Sequence, residues 1–322
     1  MTQHGWFREA ASFTATIDTV ADEFDISATA VEKDYWVSQI LRVLASDFAD
    51  DFIFKGGTSL SKGHHLIERF SEDIDILILP HQRGRNTVDK LMKSMAASTA
   101  AAIGGTAIPI GGAETGRHRS YNITYPTERT ATAVIQTSVL LEMGIRGGEN
   151  PHQHVSIDSL IGDALVAAGT DLAGYSDLAP FSVAVLHPGR TLLEKFFIIQ
   201  QETENILALG TSPNPRIGRH FYDIYQLLND ASVRSLLQQH DEVEQILADI
   251  AHVTATHFST PHAPKPGTRE FAQIQAFDTG SAVSQTFEAA YTATMPELHF
   301  GNRPLPSWTE ICNRVRNDSD LP

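Results

Sequence analysis

Residues 54–80 read FKGGTSLSKGHHLIERFSEDIDILILP, and the rest of the chain is best understood outward from them. Gly56-Gly57-Thr58-Ser59 follows a short apolar strand, Phe52-Ile53-Phe54, and opens a helix predicted over Thr58 to Phe70. Paired glycines let a backbone turn approach an anion closely, and a helix N-terminus behind them favours a phosphate. Asp73 and Asp75 follow at i and i+2 on the next predicted strand, where period-2 alternation puts both carboxylates on one face. The run Ile76-Leu77-Ile78-Leu79 is continuously apolar, the pattern of a strand buried on both faces. Acids at the start of such a strand are costly unless they bind a cation. Two carboxylates on one face can hold one or two Mg²⁺ or Mn²⁺ ions.

Composition narrows the class. The 322 residues are 42% hydrophobic and 20% charged, as in a globular protein of one large or two modest domains. The single cysteine, Cys312, excludes a disulfide framework and a cysteine zinc site. It suits a reducing cytoplasm, the expected location. Residues 1–20 contain Glu9 and Asp18 and no apolar core, so no signal peptide is expected. No run approaches the roughly 18 apolar residues of a membrane span. The net charge of −15 argues against a generally sticky nucleic-acid binder. Locally the balance differs: residues 55–93 carry seven Lys or Arg, including Lys55, Arg69 and Lys90, against five acids. The region is thus already net positive, and metal bound at Asp73 and Asp75 would make it more so. With Arg117 and Arg119, it supplies candidate contacts to a phosphate backbone.

Outward from the centre, residues 28–46 form an amphipathic helix, and Glu32 to Val37 within it read as scaffold packing on a sheet. Helices are predicted over 6–22, 86–102 and 157–167, and strands over 106–110, 119–125, 133–143 and 183–186. Glu142 is a lone acid beside the apolar run of strand 133–143, and residues 144–157 read as loop. His152 and His154 there lack a third nearby ligand, so a zinc site is not expected. Thr191-Leu-Leu-Glu194 fits a capping box at the start of a helix over 191–209. Lys195 then falls in the first turn, where it opposes the helix dipole but suits a phosphate. Arg219 and Asp223 sit at i and i+4 on the next helix and can pair. Residues 232–322 read mostly helical, with proline-rich breaks at 261–267 and 303–306.

Four islands, EKDYWV (32–37), residues 54–79, TLLEK (191–195 and flanking) and RHFYDIY (219–225), occur in this order. The Gly-Gly-Thr followed by D-x-D resembles the nucleotidyltransferase superfamily. The fuller set is similar to the AbiEii/AbiGii toxin family, which includes the MenT toxins of mycobacteria. That resemblance implies an α+β (α/β) fold: a polymerase-beta-like mixed sheet with flanking helices over 1–186, then a mainly helical region over 187–322. It implies Asp73 and Asp75 as metal ligands, with Glu142 the candidate third carboxylate. Lys55, Gly56, Gly57, Thr58, Ser59 and Ser71 would meet the nucleoside triphosphate. Lys195 would bind the triphosphate, and Asp223 would accept the acceptor's hydroxyl proton or position Lys195. The implied acceptor is RNA, the tRNA 3′ end, and the implied partner a cognate antitoxin. Two other enzymes stay open: a nucleotidyltransferase that modifies protein, and a D-x-D glycosyltransferase. The upstream Gly-Gly-Thr speaks against the latter, and intact Asp73, Asp75 and Lys195 speak against an inactive binding module. No Walker loop occurs.

Overall fold

The computed structural model describes residues 5–71, 73–131, 135–257, 270–300 and 303–322. The chain divides into two compact units. The first holds residues 1–65, 70–145 and 152–185, and the second holds 66–69, 146–151 and 186–322.

The first unit is built on a mixed seven-stranded sheet: β1 (Phe52–Lys55), β2 (Asp73–Ile78), β3 (Ala107–Pro109), β4 (His118–Thr124), β5 (Ser138–Gly144), β6 (His152–Ile157) and β7 (Phe181–Leu186), in the order β3-β4-β5-β2-β1-β7-β6. β2 runs antiparallel to β1 and parallel to β5, which is antiparallel to β4. Alternation decides what each face does. Ile74, Ile76 and Ile78 of β2 share a face with Phe54, Tyr121, Leu141 and Met143, all buried. α1 (Phe13–Phe24), α2 (Ala28–Asp47) and α4 (Arg85–Ile103) contribute Ile17, Val31, Tyr35, Leu41, Met92 and Met95 to the same core. α2 starts where Ser27 accepts a hydrogen bond from Ala30 N. Its 32–37 string serves the scaffold. The Lys33 ammonium donates to the Gln136 carbonyl at 3.0 Å, the Tyr35 hydroxyl donates to Asp177, and Trp36 stacks on Tyr125.

Several expectations are corrected. The helix after the glycine pair does not reach Phe70. One turn, α3 (Gly56–Thr58), widens into a π-turn over Ser59–Gly63, and His65 takes a positive φ of 53°. Ser71 lies two residues ahead of β2. The segment read as loop ends in β6, whose first three residues are exposed. The strand predicted from 133 is observed from Ser138, residues 132–134 lying outside the described residues. The helix expected over 157–167 is observed as α5 (Leu160–Ala167), N-capped by Ser159, and Asp34 accepts from the Leu160 amide while pairing with Lys62.

The second unit holds α6 (Pro188–Leu209), α7 (Gly218–Leu228), α8 (Ala231–Leu237), α9 (His240–His257), α10 (Ala282–Leu298) and α11 (Trp308–Arg316). Phe196 stacks on Phe271, and Phe221 meets Phe277, Phe287 and Trp308. The proline-rich stretch 261–267 lies outside the described residues. α6 begins three residues before the expected start: His187 is the N-cap, accepting from Gly189 N, and Pro188 sits at N1. Glu194 therefore closes no capping box and pairs with Arg190 instead. Lys195 is about two turns into the helix, so the dipole argument for it does not apply. Cys312 is buried, and burial pushes its thiol up to about 11. Among the described residues no helix is long and apolar enough to cross a membrane.

Candidate active site

On the sheet face opposite the core, Lys55, Asp75, Glu142 and Ser120 are successive register partners across β1, β2, β5 and β4. Cross-strand partners of this kind bring Cβ atoms to about 5 Å of each other. Asp73 stands one pleat along β2 on the same face, level with Leu140 and Asn122. Asp73, Asp75 and Glu142 are all half-buried. Leu77, further along that face, is buried, so the acids mark the strand's accessible end. The Ser120 hydroxyl lies 3.5 Å from Glu142 Oε1 and 3.3 Å from His118 Nε2.

The glycine turn is shaped around Asp75. Gly56 has φ of 78°, and a Cβ there would lie 2.1 Å from Asp75 Oδ2 and 2.9 Å from its Cβ. The carboxylate thus occupies the space that any side chain at position 56 would need. Gly57 has no positive φ. Thr58 and Ser59 are buried, and their hydroxyls donate to the carbonyls of Asp73 and Gly56. Thr58 thereby ties the turn to β2, and Ser59 closes the turn on itself. Gly56→Ala is therefore expected to displace Asp75, cutting activity at least tenfold. Its left-handed φ adds roughly 1–2 kcal/mol of strain, seen as a melting temperature lower by a few degrees. An alanine variant with full activity would show that Asp75 does not need this packing.

Among the described residues no three His, Cys, Asp or Glu side chains form an ion cage. Mg²⁺ is ordinarily held by one or two carboxylates together with waters and substrate phosphates. Asp73 and Asp75, hard oxygen donors on one face with Asp75 fixed against the Gly56 turn, fit that manner of binding. The basic residues nearby form less of a patch than the sequence suggests. Lys62 pairs with Asp34, Arg83 with Asp51, and both Lys93 and Arg119 with Asp89.

The second unit contains a separate polar cluster. Arg69, 2% exposed, donates from Nε to Asp223 Oδ1 at 2.6 Å and from Nη2 to Oδ2 at 2.7 Å. Lys195 Nζ lies 2.8 Å from the same Oδ2 and 3.2 Å from His220 Nδ1. Lys195 is 5% exposed and Asp223 not at all. The Asp223 partner expected from i,i+4 spacing was Arg219; its partners here are Arg69 and Lys195. Burial alone would raise the Asp223 carboxyl, but the charges and hydrogen bonds of Arg69 and Lys195 hold it well below the ordinary range. Burial lowers the Lys195 ammonium, opposed by Asp223 and reinforced by Arg69. Burial, then the Lys195 charge, push His220 far below its usual value, so the imidazole is neutral and accepts from the ammonium. The Asp223 carboxylate is thus shared by two nearly buried cations. Burying charged groups is costly, and an incoming anion near Lys195 would complement its ammonium.

This fold and these motifs belong to a nucleotidyltransferase. The model of the family described as nucleotidyl transferase AbiEii toxin, type IV toxin–antitoxin system, matches residues 39–314, and the chain belongs to that family. The chain is similar in fold to MenT4, a nucleotidyltransferase toxin from Mycobacterium tuberculosis H37Rv, with a TM-score of 0.53 and 16% identity over 94% of this chain and 87% of that one. A comparison with curated proteins finds no match.

Proposed function

We propose that this toxin moves a nucleoside monophosphate from a nucleoside triphosphate to the 3′-hydroxyl of an RNA, the tRNA 3′ end being the acceptor, and so blocks translation in the cytoplasm. The observation that carries this is the single face on which Asp73, Asp75 and Glu142 align beside the Gly56 turn. Asp73 and Asp75 would hold Mg²⁺ or Mn²⁺, which when bound neutralises phosphate charge and favours the hydroxylate form of the acceptor. Glu142 adds negative field next to Asp75. The Gly56-Gly57 backbone lets the triphosphate approach, and Lys55, in register with Asp75, adds a cation on that face. In the second unit, Lys195 is the cation for the triphosphate, and charge growing on the leaving pyrophosphate is the charge it stabilises. Asp223 has both oxygens engaged and is held ionised, which supports a role in placing Lys195 over one in taking a proton. A cognate antitoxin is the expected partner.

Each labelled nucleoside triphosphate, incubated with the protein, Mg²⁺ and total RNA, tests this. Label is expected in tRNA-sized RNA, lost on chelation, and absent when the RNA has been oxidised by periodate. Equal labelling of oxidised RNA would exclude the 3′ end. Label in protein and none in RNA would replace the RNA acceptor with a protein one.

A further inference from the structure

Arg69 belongs to the short segment 66–69 that the chain contributes to the second unit, and the backbone there is tied on both sides. The Glu68 amide donates to the Tyr222 hydroxyl at 3.0 Å, and the Glu68 carbonyl accepts from Phe300 N at 3.0 Å. Arg69 itself bridges to His299, and Ile67 beside it is buried. The guanidinium is thus delivered to Asp223 by a fixed backbone. Its two bonds, one to each carboxylate oxygen, fix the rotation of the Asp223 side chain as well as its position. The oxygen that Nη2 engages is the one that holds Lys195 Nζ.

A pair serving stability alone would be complete with one cation on one carboxylate. Here the carboxylate is shared, and the second cation is the one with a candidate task. Among the described residues Lys195 has two partners, Asp223 and His220, for its three N–H bonds. A lysine side chain has four rotatable bonds, and these two partners fix where its ammonium ends.

We infer that Arg69 is a positioning residue for the transfer, its fork orienting Asp223 so that Asp223 and His220 hold the Lys195 ammonium where it meets the triphosphate. This rests on the role proposed for Lys195. Lysine cannot replace Arg69, because a point charge binds one carboxylate oxygen and leaves the rotation of Asp223 unset.

The test measures affinity for each of the four nucleoside triphosphates, and kcat and KM for transfer, in the full chain. Arg69→Lys is expected to weaken triphosphate binding at least tenfold, with a melting temperature within a few degrees of the parent's. Made in a Lys195→Met background, the same change is expected to cost less than twofold, because the group it positions is gone. A loss of equal size in both backgrounds, or a lowered melting temperature with unchanged KM, overturns the positioning role while leaving Lys195 its own. A Lys195→Met protein with the parent's affinity and turnover overturns the role of Lys195, and that of Arg69 with it. Should Arg69→Lys fail to fold, the charge-balanced pair Arg69→Met with Asp223→Asn is used instead. It is expected to bind triphosphate as weakly as Lys195→Met, and parental affinity in it would overturn the inference.

Discussion

Asp75→Asn and Asp73→Ala are each expected to lose transfer by about a thousandfold or more while remaining folded. Holding a divalent ion at a reacting phosphate is worth several kcal/mol of transition-state stabilisation, and each ~1.4 kcal/mol is a factor of ten. Asparagine keeps the volume that fills the space over Gly56, so a fall in activity cannot be assigned to a collapsed turn. Stability should change little. Two carboxylates on one strand face repel, and removing one charge relieves that repulsion. The melting temperature should stay within about 4 °C of the parent's. Activity and thermal melting on the same preparations decide the matter. A folded Asp75→Asn protein with full, metal-dependent activity would sink the assignment of Asp75 as a metal ligand.

Local periodicity made much of the first unit legible. α2, β2, α4 and β4 are close to where apolar spacing put them: α4 and β4 bury chiefly one face, while α2 and the inner half of β2 are buried on more than one side. β2 is the clearest case. Its Ile76, Leu77 and Ile78 are buried, as a continuous apolar run demands, and its two acids sit at the open end. The features that local periodicity does not announce have physical causes. The turn after Gly57 has helical residue types, but Thr58 and Ser59 bond to backbone carbonyls and the chain leaves the helix at Gly63. β6 is polar and exposed over most of its length, so no alternation announced it. The start of α6 did carry a signal: Pro188 is the usual N1 residue, and it outweighed the Thr191–Glu194 spacing. The Arg69–Asp223 pair spans 154 residues, a distance over which helical spacing has nothing to say. The nearer Arg219 was the natural but wrong partner to expect.

Lys195→Met and Asp223→Asn should part company, and the reason is the charge count around them. In the wild-type cluster Arg69 and Lys195 both pair with the Asp223 carboxylate. Methionine at 195 leaves a balanced Arg69–Asp223 pair and fills most of the lysine's space. The melting temperature should therefore hold or rise, while transfer falls by about 10²–10³-fold, the usual cost of one lost electrostatic contact to a transition state. Asparagine at 223 does the reverse. It removes the buried carboxylate that both cations share, a change that costs roughly 3–5 kcal/mol and should lower the melting temperature by about 10 °C or more. The effect should also depend on pH, and its sign is fixed. The Asp223 carboxyl is held below its ordinary value in the folded chain. Its contribution to stability is thus fully present above the unfolded value, about pH 4. It is lost as pH falls further toward the folded value. The gap between wild type and Asp223→Asn should be constant from neutral pH down to about pH 4 and narrow only below it. Thermal melts of the three proteins across that range, beside their kinetics, separate the two roles. A Lys195→Met protein that melts many degrees lower but turns over normally would make Lys195 a stabilising residue and nothing more.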